Sequence, residues 1–173
     1  MVVEGNAQEL KPGRIIPFFR LPSANRSQDI GPWDYNQHKN LVLFFFHSPQ
    51  CAPCRQLLLD LARGYPEYAP LNTEVLSISQ TGIVELGQLQ RELGLPFPLL
   101  SDMDGKVFRA YLGHAAGEPH ETAIFVADRW GELYTGATAA DADALPGESE
   151  IRDWLSFIEI QCPECHPPEW PLL

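Results

Sequence analysis

The residues best suited to chemistry in this sequence are two cysteines three positions apart, in the segment Cys51-Ala52-Pro53-Cys54-Arg55. An apolar run from Leu41 to Phe46 comes shortly before them and is typical of a buried strand. If a helix begins at the pair, its unpaired backbone N–H groups and partial positive charge favour a thiolate over a thiol. Two sulfurs across such a turn can also close into a disulfide. The pattern therefore predicts a redox-active pair at the junction of a strand and a helix.

A second pair lies near the end of the sequence, in Cys162-Pro163-Glu164-Cys165-His166. Cys162 and Cys165 can form a second redox pair on an extended, proline-rich tail that exchanges electrons with the first pair. Together with His166 they can instead supply three ligands to zinc, which then needs a fourth from elsewhere. Cys-x-x-Cys-His also matches haem attachment, although no export signal or haem pocket is evident. In the remaining interpretation these thiols have no role, and the sequence does not choose among these four.

The elements that must position the first pair follow an order typical of an α/β fold. The run 41–47 lacks any alternation of apolar and polar residues, which indicates a strand buried on both faces of a sheet. Further strands are predicted over 15–21, 73–79, 123–128 and 132–135, and helices over 53–63, 83–93, 106–112 and 150–160. Gly64 and Gly94 are predicted to cap the first two helices, and residues 136–148 to form a mobile loop. This order predicts a central mixed sheet flanked by helices.

Length and composition limit the classes of protein to consider. At 173 residues the chain is expected to form one domain with a sizeable core. The net charge of −11 disfavours nucleic-acid binding, because no basic stripe is available to neutralise phosphates. No run reaches the roughly 20 apolar residues of a membrane span, and residues 1–11 do not have the pattern of a secretory signal. We therefore expect a cytoplasmic protein without a membrane partner, in which a Cys-x-x-Cys is catalytic or metal-binding more often than structural.

Three segments carry a resemblance to a known family. Residues 13–21 follow the pattern Gly-x-x-x-Pro-x-Phe-x-Leu, residues 93–105 contain Gly-Leu-Pro-Phe and Leu-Ser-Asp, and residues 122–131 contain an apolar strand that ends in an Asp and a Gly. The chain resembles thioredoxin-fold proteins, and among them the alkyl hydroperoxide reductase/thiol-specific antioxidant family, which is peroxiredoxin-like. The resemblance implies a thioredoxin-like domain over 1–161, with the N-terminal extension of peroxiredoxins. A Cys/Pro-rich tail over 162–173 would follow this domain.

The resemblance to peroxiredoxins implies a thiol peroxidase in which Cys54 attacks the peroxide. In that family a threonine or serine lies three residues before the attacking cysteine and a proline seven before it, but here these positions hold Cys51 and His47. The arginine that holds the thiolate and the peroxide oxygens would fall at Thr122, so another arginine, either Arg55 or Arg109, would have to replace it. Because such groups stabilise the transition state electrostatically, their replacement makes the peroxidase the alternative function.

The resemblance to thioredoxin-like reductases implies disulfide exchange. In those proteins the first cysteine of the pair is the exposed attacker and the second resolves the mixed disulfide, so Cys51 would attack and Cys54 would displace it. A proline before the second cysteine and a basic residue after it fit this pattern. Three positions depart from it. Gln50 stands where a tryptophan is usual, Thr122 where a cis-proline faces the pair, and Phe45 where thioredoxins have a buried acid.

We therefore expect a thiol–disulfide oxidoreductase with an antioxidant role in cell redox homeostasis, with Cys51 and Cys54 as its catalytic residues. His47, Arg55 and Thr122 are accessory candidates. The chemistry requires no cofactor, and zinc binding by the C-terminal tail stays an open alternative. Expected partners are a disulfide-bearing protein or a small thiol or peroxide substrate, and a thiol reductase that donates electrons. Two different functions are also compatible with the sequence, namely a thiol peroxidase and a redox- or zinc-linked binding protein.

Overall fold

A five-stranded mixed sheet organises the protein, of which a computed structural model describes residues 10–113 and 121–161. The strands are β1 (Asn40–Phe45), β2 (Thr73–Ser79), β3 (Leu99–Ser101), β4 (Thr122–Ala127) and β5 (Leu133–Ala139). The α-helices are α1 (Ala52–Tyr68), α2 (Ile83–Leu93), α3 (Lys106–Leu112) and α4 (Glu148–Glu159), and short 3-10 helices cover Pro32–Tyr35 and Ala142–Ala144. This order of elements confirms the predicted α/β class.

The strand that precedes the first cysteine pair lies in the middle of the sheet. The strand order is β3-β2-β1-β4-β5, in which β1 runs parallel to β2 and antiparallel to β4. Every residue of β1 is buried, which explains why its sequence shows no polar alternation. Because β1, β2 and β3 are parallel, their carboxyl ends meet at one edge of the sheet. The segment that carries Cys51 and Cys54 leaves β1 at this edge.

Apolar clusters cover both faces of the sheet, because successive side chains along β1 point in opposite directions. Phe44 belongs to the cluster that also contains buried residues of α1, α2 and α4, among them Cys54. Phe45 belongs to the second cluster, which contains buried residues of α3. Its ring lies edge-on to those of Phe108 and Phe125, with centroids 5.1 and 5.8 Å apart. Phe45 therefore packs on the face of the sheet opposite to Cys54.

Helix α1 is longer than the sequence indicates. The prediction that it ends at residue 63 with Gly64 as its cap is wrong, because the helix continues through Gly64 and Pro66 to Tyr68. Tyr68 is fully buried, and its hydroxyl donates to Oε1 of Glu148 at 3.2 Å. A Cβ atom at position 64 would lie 2.2 Å from that same oxygen. Gly64 therefore lets the start of α4 approach α1 closely instead of ending the helix.

Three further segments had structures predicted from the sequence, and the outcomes differ. Residues 15–21 do not form a continuous strand and instead make the isolated bridges Ile15–Glu132 and Leu21–Ile30. The predicted loop over 136–148 is wrong, since β5 pairs with β4 as far as Ala139 and a 3-10 helix and the start of α4 follow. The cap at Gly94 is confirmed, with a left-handed φ of 61°. Within residues 10–113 and 121–161, no helix has both the length and the apolar character needed to cross a membrane.

Candidate active site

Cys51 is the residue at which helix α1 begins. It occupies the N-cap position with extended backbone angles, φ −68° and ψ 109°, and Ala52 is the first helical residue. Pro53 follows in the first turn, where a helix does not need the N–H that proline lacks. Cys54 therefore lies one turn into the helix, on the same side as the cap. The strand–helix junction predicted from the sequence is confirmed.

The sulfur of Cys51 lies among groups that favour a negative charge. The backbone N–H of Cys54 donates to Sγ of Cys51 at 3.3 Å, so the sulfur caps the helix in place of the usual oxygen. The partial positive charge of the helix N-terminus acts on the same atom. Nδ1 of His47 lies 3.8 Å from Sγ, and Cys51 is only partly buried. Cys51 therefore combines contact with solvent with a helix N-terminus and an imidazole next to its sulfur.

The sulfur of Cys54 has the opposite environment. Cys54 is 0% exposed and packs in the apolar cluster that contains Phe44 and Phe46. Burial raises the pKa of the Cys54 thiol to about 12, and a hydrogen bond from this thiol to Cys51 acts in the same direction. The Cys54 sulfur is thus a protonated donor to the Cys51 sulfur at neutral pH. The two thiols are free in this structure.

His47 is held by its backbone at the end of β1. Its carbonyl oxygen accepts a hydrogen bond from the hydroxyl of Ser79 at 3.1 Å, and that hydroxyl lies 2.8 Å from Oγ1 of Thr81. Ser79 is the last residue of β2, the parallel neighbour of β1. Ligating atoms of His47, Cys51 and Cys54 all lie within 4.8 Å of one another. The structure thus brings this predicted accessory residue to the thiol pair.

Arg55 binds the loop between β1 and α1. Its guanidinium donates to the carbonyl of Pro49 at 2.9 Å and to Oε1 of Glu92 at 2.5 Å. The first bond holds the loop that leads into Cys51, and the second connects that loop to α2. These contacts give Arg55 a structural role beside the site, and they engage its charge with a carboxylate.

Thr122 borders the same edge of the sheet. Ala123 pairs with Phe45 at the end of β1, so Thr122 lies beside the start of the segment that leads to the cysteines. Thr122 is fully buried, and its hydroxyl donates to the carbonyl of Ala139 at 2.9 Å. No peptide bond is cis in the part of the chain that the structure describes. The hydroxyl of Thr122 thus supports the β4–β5 pairing.

Comparison with known proteins decides the family. The sequence profile described as the AhpC/TSA family matches residues 12–134, which is more than half of the chain. The chain belongs to the AhpC/TSA family. The resemblance carried by residues 13–21, 93–105 and 122–131 is therefore confirmed.

Sequence relatives of this AhpC/TSA protein occur in Mycobacterium tuberculosis. Proteins of strains CDC 1551 and H37Rv, both provisionally named as peroxiredoxins, are each 28% identical to the chain over 102 residues. The match covers 59% of this chain and 64% of the relative. The chain therefore spans less than two thirds of the length of these curated relatives.

Solved structures show the fold. AhpC of Enterococcus faecalis has a TM-score of 0.75 at 18% identity, covering 87% of this chain and 92% of that one. Peroxidoxin BcpB of Mycobacterium tuberculosis has a TM-score of 0.74 at 20% identity, covering 87% and 99%. Peroxiredoxin Q of Xanthomonas campestris has a TM-score of 0.67 at 16% identity, covering 82% and 89%. The predicted thioredoxin-like fold of the peroxiredoxin type is confirmed.

Two further groups of residues bear on this AhpC/TSA site. Ser79 and Thr81 support His47, although the sequence analysis did not single them out. The available signal was their position at the carboxyl end of the strand next to β1, where polar side chains meet the segment that follows β1. The predicted tail residues Cys162, Cys165 and His166 lie outside the described residues. The predicted boundary between the domain and the tail falls between residues 161 and 162, and only residue 161 is described. Their roles remain predictions.

Proposed function

We propose that this AhpC/TSA protein is a thiol–disulfide oxidoreductase in which Cys51 attacks the substrate and Cys54 resolves the intermediate. The observation that carries the proposal is the contrast between the two sulfurs. Cys51 is partly exposed and its Sγ accepts the N–H of Cys54, whereas Cys54 itself is fully buried. A substrate disulfide can therefore reach Cys51 before it reaches Cys54.

The reaction proceeds by two exchanges of sulfur partners. In the first, the Cys51 thiolate attacks one sulfur of the substrate disulfide, so that the Cys51–substrate bond forms and the substrate S–S bond breaks. In the second, Cys54 loses its proton and attacks Sγ of Cys51, which forms the Cys51–Cys54 disulfide and releases the second substrate thiol. The substrate gains two electrons and two protons, and an external dithiol returns them to the protein. His47, whose ring lies within 4.8 Å of the Cys54 sulfur, is positioned to accept the proton.

Membership of the AhpC/TSA family favours a second candidate, a thiol-dependent peroxidase. In this alternative Cys54 attacks the peroxide oxygen, becomes a sulfenic acid and releases water or an alcohol, and a second thiol then resolves it. The burial of Cys54 argues against this order of events, because the peroxide must reach the sulfur that attacks it. Neither reaction needs a cofactor, since the sulfurs carry the electrons.

Single substitutions separate the two candidates. We expect Cys51→Ser to abolish disulfide reduction driven by an external dithiol, because it removes the attacking sulfur. Cys54→Ser should instead accumulate a mixed disulfide between Cys51 and the substrate, visible as a mass increase that a reductant reverses. Both variants are also assayed for peroxide consumption and for sulfenic acid. Peroxide turnover by the Cys51→Ser variant, with sulfenic acid on Cys54, would overturn the exchange assignment.

The partners and location are part of the same proposal. The substrate would be a disulfide-bearing protein or a small disulfide or peroxide, and a thiol reductase would supply electrons to the Cys51–Cys54 disulfide. We place the protein in the cytoplasm, where such reductases keep thiols reduced. Cell fractionation with detection of the native protein checks the location, and mixed-disulfide capture by the Cys54→Ser variant checks the partners.

The tail pair is proposed as a second redox pair that passes electrons to the first. We expect a Cys162→Ser, Cys165→Ser double variant to slow the reduction of the Cys51–Cys54 disulfide by an external reductase, while a direct chemical dithiol reduces it at the rate of the unsubstituted chain. Equal rates with both reductants in both proteins would remove this role. Zinc binding by a Cys51→Ser, Cys54→Ser variant would instead give the tail a metal-binding role.

A further inference from the structure

We propose that His47, Cys51 and Cys54 form a binding site for a thiophilic divalent cation, Zn²⁺, and that a bound ion blocks the chemistry of both thiols. This site is distinct from the zinc site considered for the C-terminal tail. It goes beyond the proposed exchange reaction, because ion binding needs only the three side chains and does not require that either thiol be catalytic.

The distances among the three side chains fit a zinc site. Zinc bound to a tetrahedral set of sulfur and nitrogen ligands places those ligand atoms about 3.6 to 3.8 Å from one another, given its usual bond lengths. Nδ1 of His47 and Sγ of Cys51 are already 3.8 Å apart, and the ligating atoms of all three residues lie within 4.8 Å. The difference of at most about 1 Å is within the reach of side-chain rotation. The free protein therefore holds the three ligands close to the positions that zinc requires.

The backbone around the site holds the ligands in place. Cys51 and Cys54 are fixed by the first turn of α1. His47 is fixed at the end of β1, where its carbonyl accepts a hydrogen bond from Ser79. These elements are packed in the protein core, so the ligands do not have to be gathered from flexible segments. The N–H of Cys54 that donates to Sγ of Cys51 would remain as an outer-shell hydrogen bond to a coordinated thiolate.

The charges of the site also favour a divalent cation. Two neighbouring thiolates in a partly buried site repel each other and lose part of their hydration, which is costly unless a cation is present. Zn²⁺ with two thiolates and one neutral imidazole gives a site with no net charge. Arg55, the cationic residue next to the pair in sequence, has its guanidinium on Pro49 and Glu92. The site thus offers soft anionic ligands, and the guanidinium next to them in sequence, that of Arg55, is already bonded to the carboxylate of Glu92.

Ion binding and disulfide formation exclude each other. Coordination replaces the protons of both thiols with the metal and moves no electrons, whereas disulfide formation removes two electrons and leaves no thiolate to bind. Three protein ligands leave the fourth position for water or an exogenous thiol on the partly exposed side of Cys51. A bound ion would therefore hold the pair reduced and unreactive until it is removed.

The test uses the full chain with the tail pair removed by Cys162→Ser and Cys165→Ser, reduced with a phosphine that does not bind zinc. Zn²⁺ is titrated against a chromophoric chelator, and Co²⁺ serves as a spectroscopic probe. We expect one ion per chain, thiolate-to-cobalt charge-transfer absorption, and no binding after the Cys51–Cys54 disulfide is formed. Since loss of an outer-shell partner alone costs 10- to 100-fold in affinity, loss of a ligand by His47→Gln or Cys54→Ser should weaken binding by about 100-fold or more.

The oxidised form provides a control that needs no substitution in the core, which matters if Cys54→Ser impairs folding. No stoichiometric binding by the reduced tail variant, or equal binding by its oxidised form, would overturn the proposal. Unchanged affinity in His47→Gln would also overturn the three-ligand site. Inhibition of disulfide reduction is measured separately. Zinc binding by a protein that reduces no disulfide supports the metal site and rejects the exchange function. Disulfide reduction by a protein that binds no zinc supports the exchange function and rejects the metal site.

Discussion

The backbone N–H of Cys54 donates to Sγ of Cys51 at 3.3 Å, and this bond joins two cysteines with opposite exposure. Cys51 lies at the helix cap in contact with solvent, whereas the side chain of Cys54 is sealed in the apolar cluster. The roles proposed for the two thiols follow from this difference. They also reverse the order expected from the peroxiredoxin resemblance, in which the sulfur at position 54 would meet the substrate first.

Alkylation of the native protein should distinguish the two thiols. In the reduced Cys162→Ser, Cys165→Ser variant, we expect a short pulse of iodoacetamide at neutral pH to modify Cys51 and leave Cys54 unmodified. The reason is that Cys54 is buried and its raised pKa of about 12 keeps it protonated far above neutral pH. Peptide mass spectrometry locates the label, and a denatured sample, in which both thiols should react, is the control. Equal labelling of both residues in the native protein would contradict the assigned environments.

Arg55 should affect the rate of exchange more than the stability of the fold. We expect Arg55→Gln to lower kcat/KM for disulfide reduction several-fold, because it releases the Pro49 carbonyl and loosens the loop before Cys51. The cost in unfolding free energy should be about 1 kcal/mol or less, since Arg55 is partly exposed and its partner Glu92 is exposed. Steady-state kinetics and urea unfolding measure the two effects.

The matched control for Arg55 lies on the same helix. Arg63 forms an exposed ion pair with Asp60 at 2.8 Å and is far along α1 from the thiols. We expect Arg63→Gln to leave kcat/KM unchanged. Similar kinetic losses in both variants would show that the effect comes from the surface charge of α1 and not from the loop.

Asn40 should be among the most sensitive polar positions for stability. Its side-chain amide donates to the carbonyl of Leu71 at 3.0 Å and to Oε1 of Glu159 at 2.7 Å, and its Oδ1 accepts the N–H of Arg129 at 3.0 Å. Because Asn40 is fully buried, Asn40→Ala removes three hydrogen bonds and leaves the N–H of Arg129 without its acceptor, which should cost about 2 to 3 kcal/mol. Urea unfolding measures this loss. The exposed Gln56, changed to alanine, serves as the control and should change stability little.

Asp102 should make stability depend on pH. It is 1% exposed, Phe108 donates to its Oδ2 at 2.8 Å, and its Oδ1 receives no hydrogen bond from the described part of the chain. Burial raises the pKa of its carboxyl above the ordinary value, against the lowering effect of the Phe108 and Val107 N–H groups, and Asp104 raises it further. The folded protein therefore binds a proton at this site more tightly than the unfolded chain does. The stability that this proton contributes is fully present below the ordinary pKa and is lost as pH rises through the folded pKa.

An amide at position 102 removes this dependence. We expect Asp102→Asn to be more stable than the unsubstituted protein at neutral pH, with the gain shrinking as pH falls toward the ordinary carboxyl range. Unfolding free energies measured across the acid range test the expectation, with exposed Asp143→Asn as the control. A gain for Asp102→Asn that is the same at every pH would mean that the charge of Asp102 is not its cause.

The sequence predicted much of the fold because the relevant signals are local. The apolar run of β1, the periodic pattern of α2 and its cap at Gly94 each depend on neighbouring residues, and all three are confirmed. The predictions failed where distant residues decide the outcome. Gly64 has the local signature of a helix end, but the helix continues because Tyr68 is buried and Glu148 fills the space that a side chain would need.

The features of the site also divide into those set by local sequence and those set by distant residues. The sequence by itself determined that two sulfurs stand three residues apart at the start of a helix, because that spacing and the preceding strand impose the i to i+3 contact between Cys51 and Cys54. Only the tertiary structure decided which cysteine is exposed to solvent and that the His47 ring lies beside the pair. Burial of Cys54 and support of His47 by Ser79, 32 residues away, arise from packing between separate strands and helices. Exposure and long-range contact depend on that packing, which local sequence does not encode.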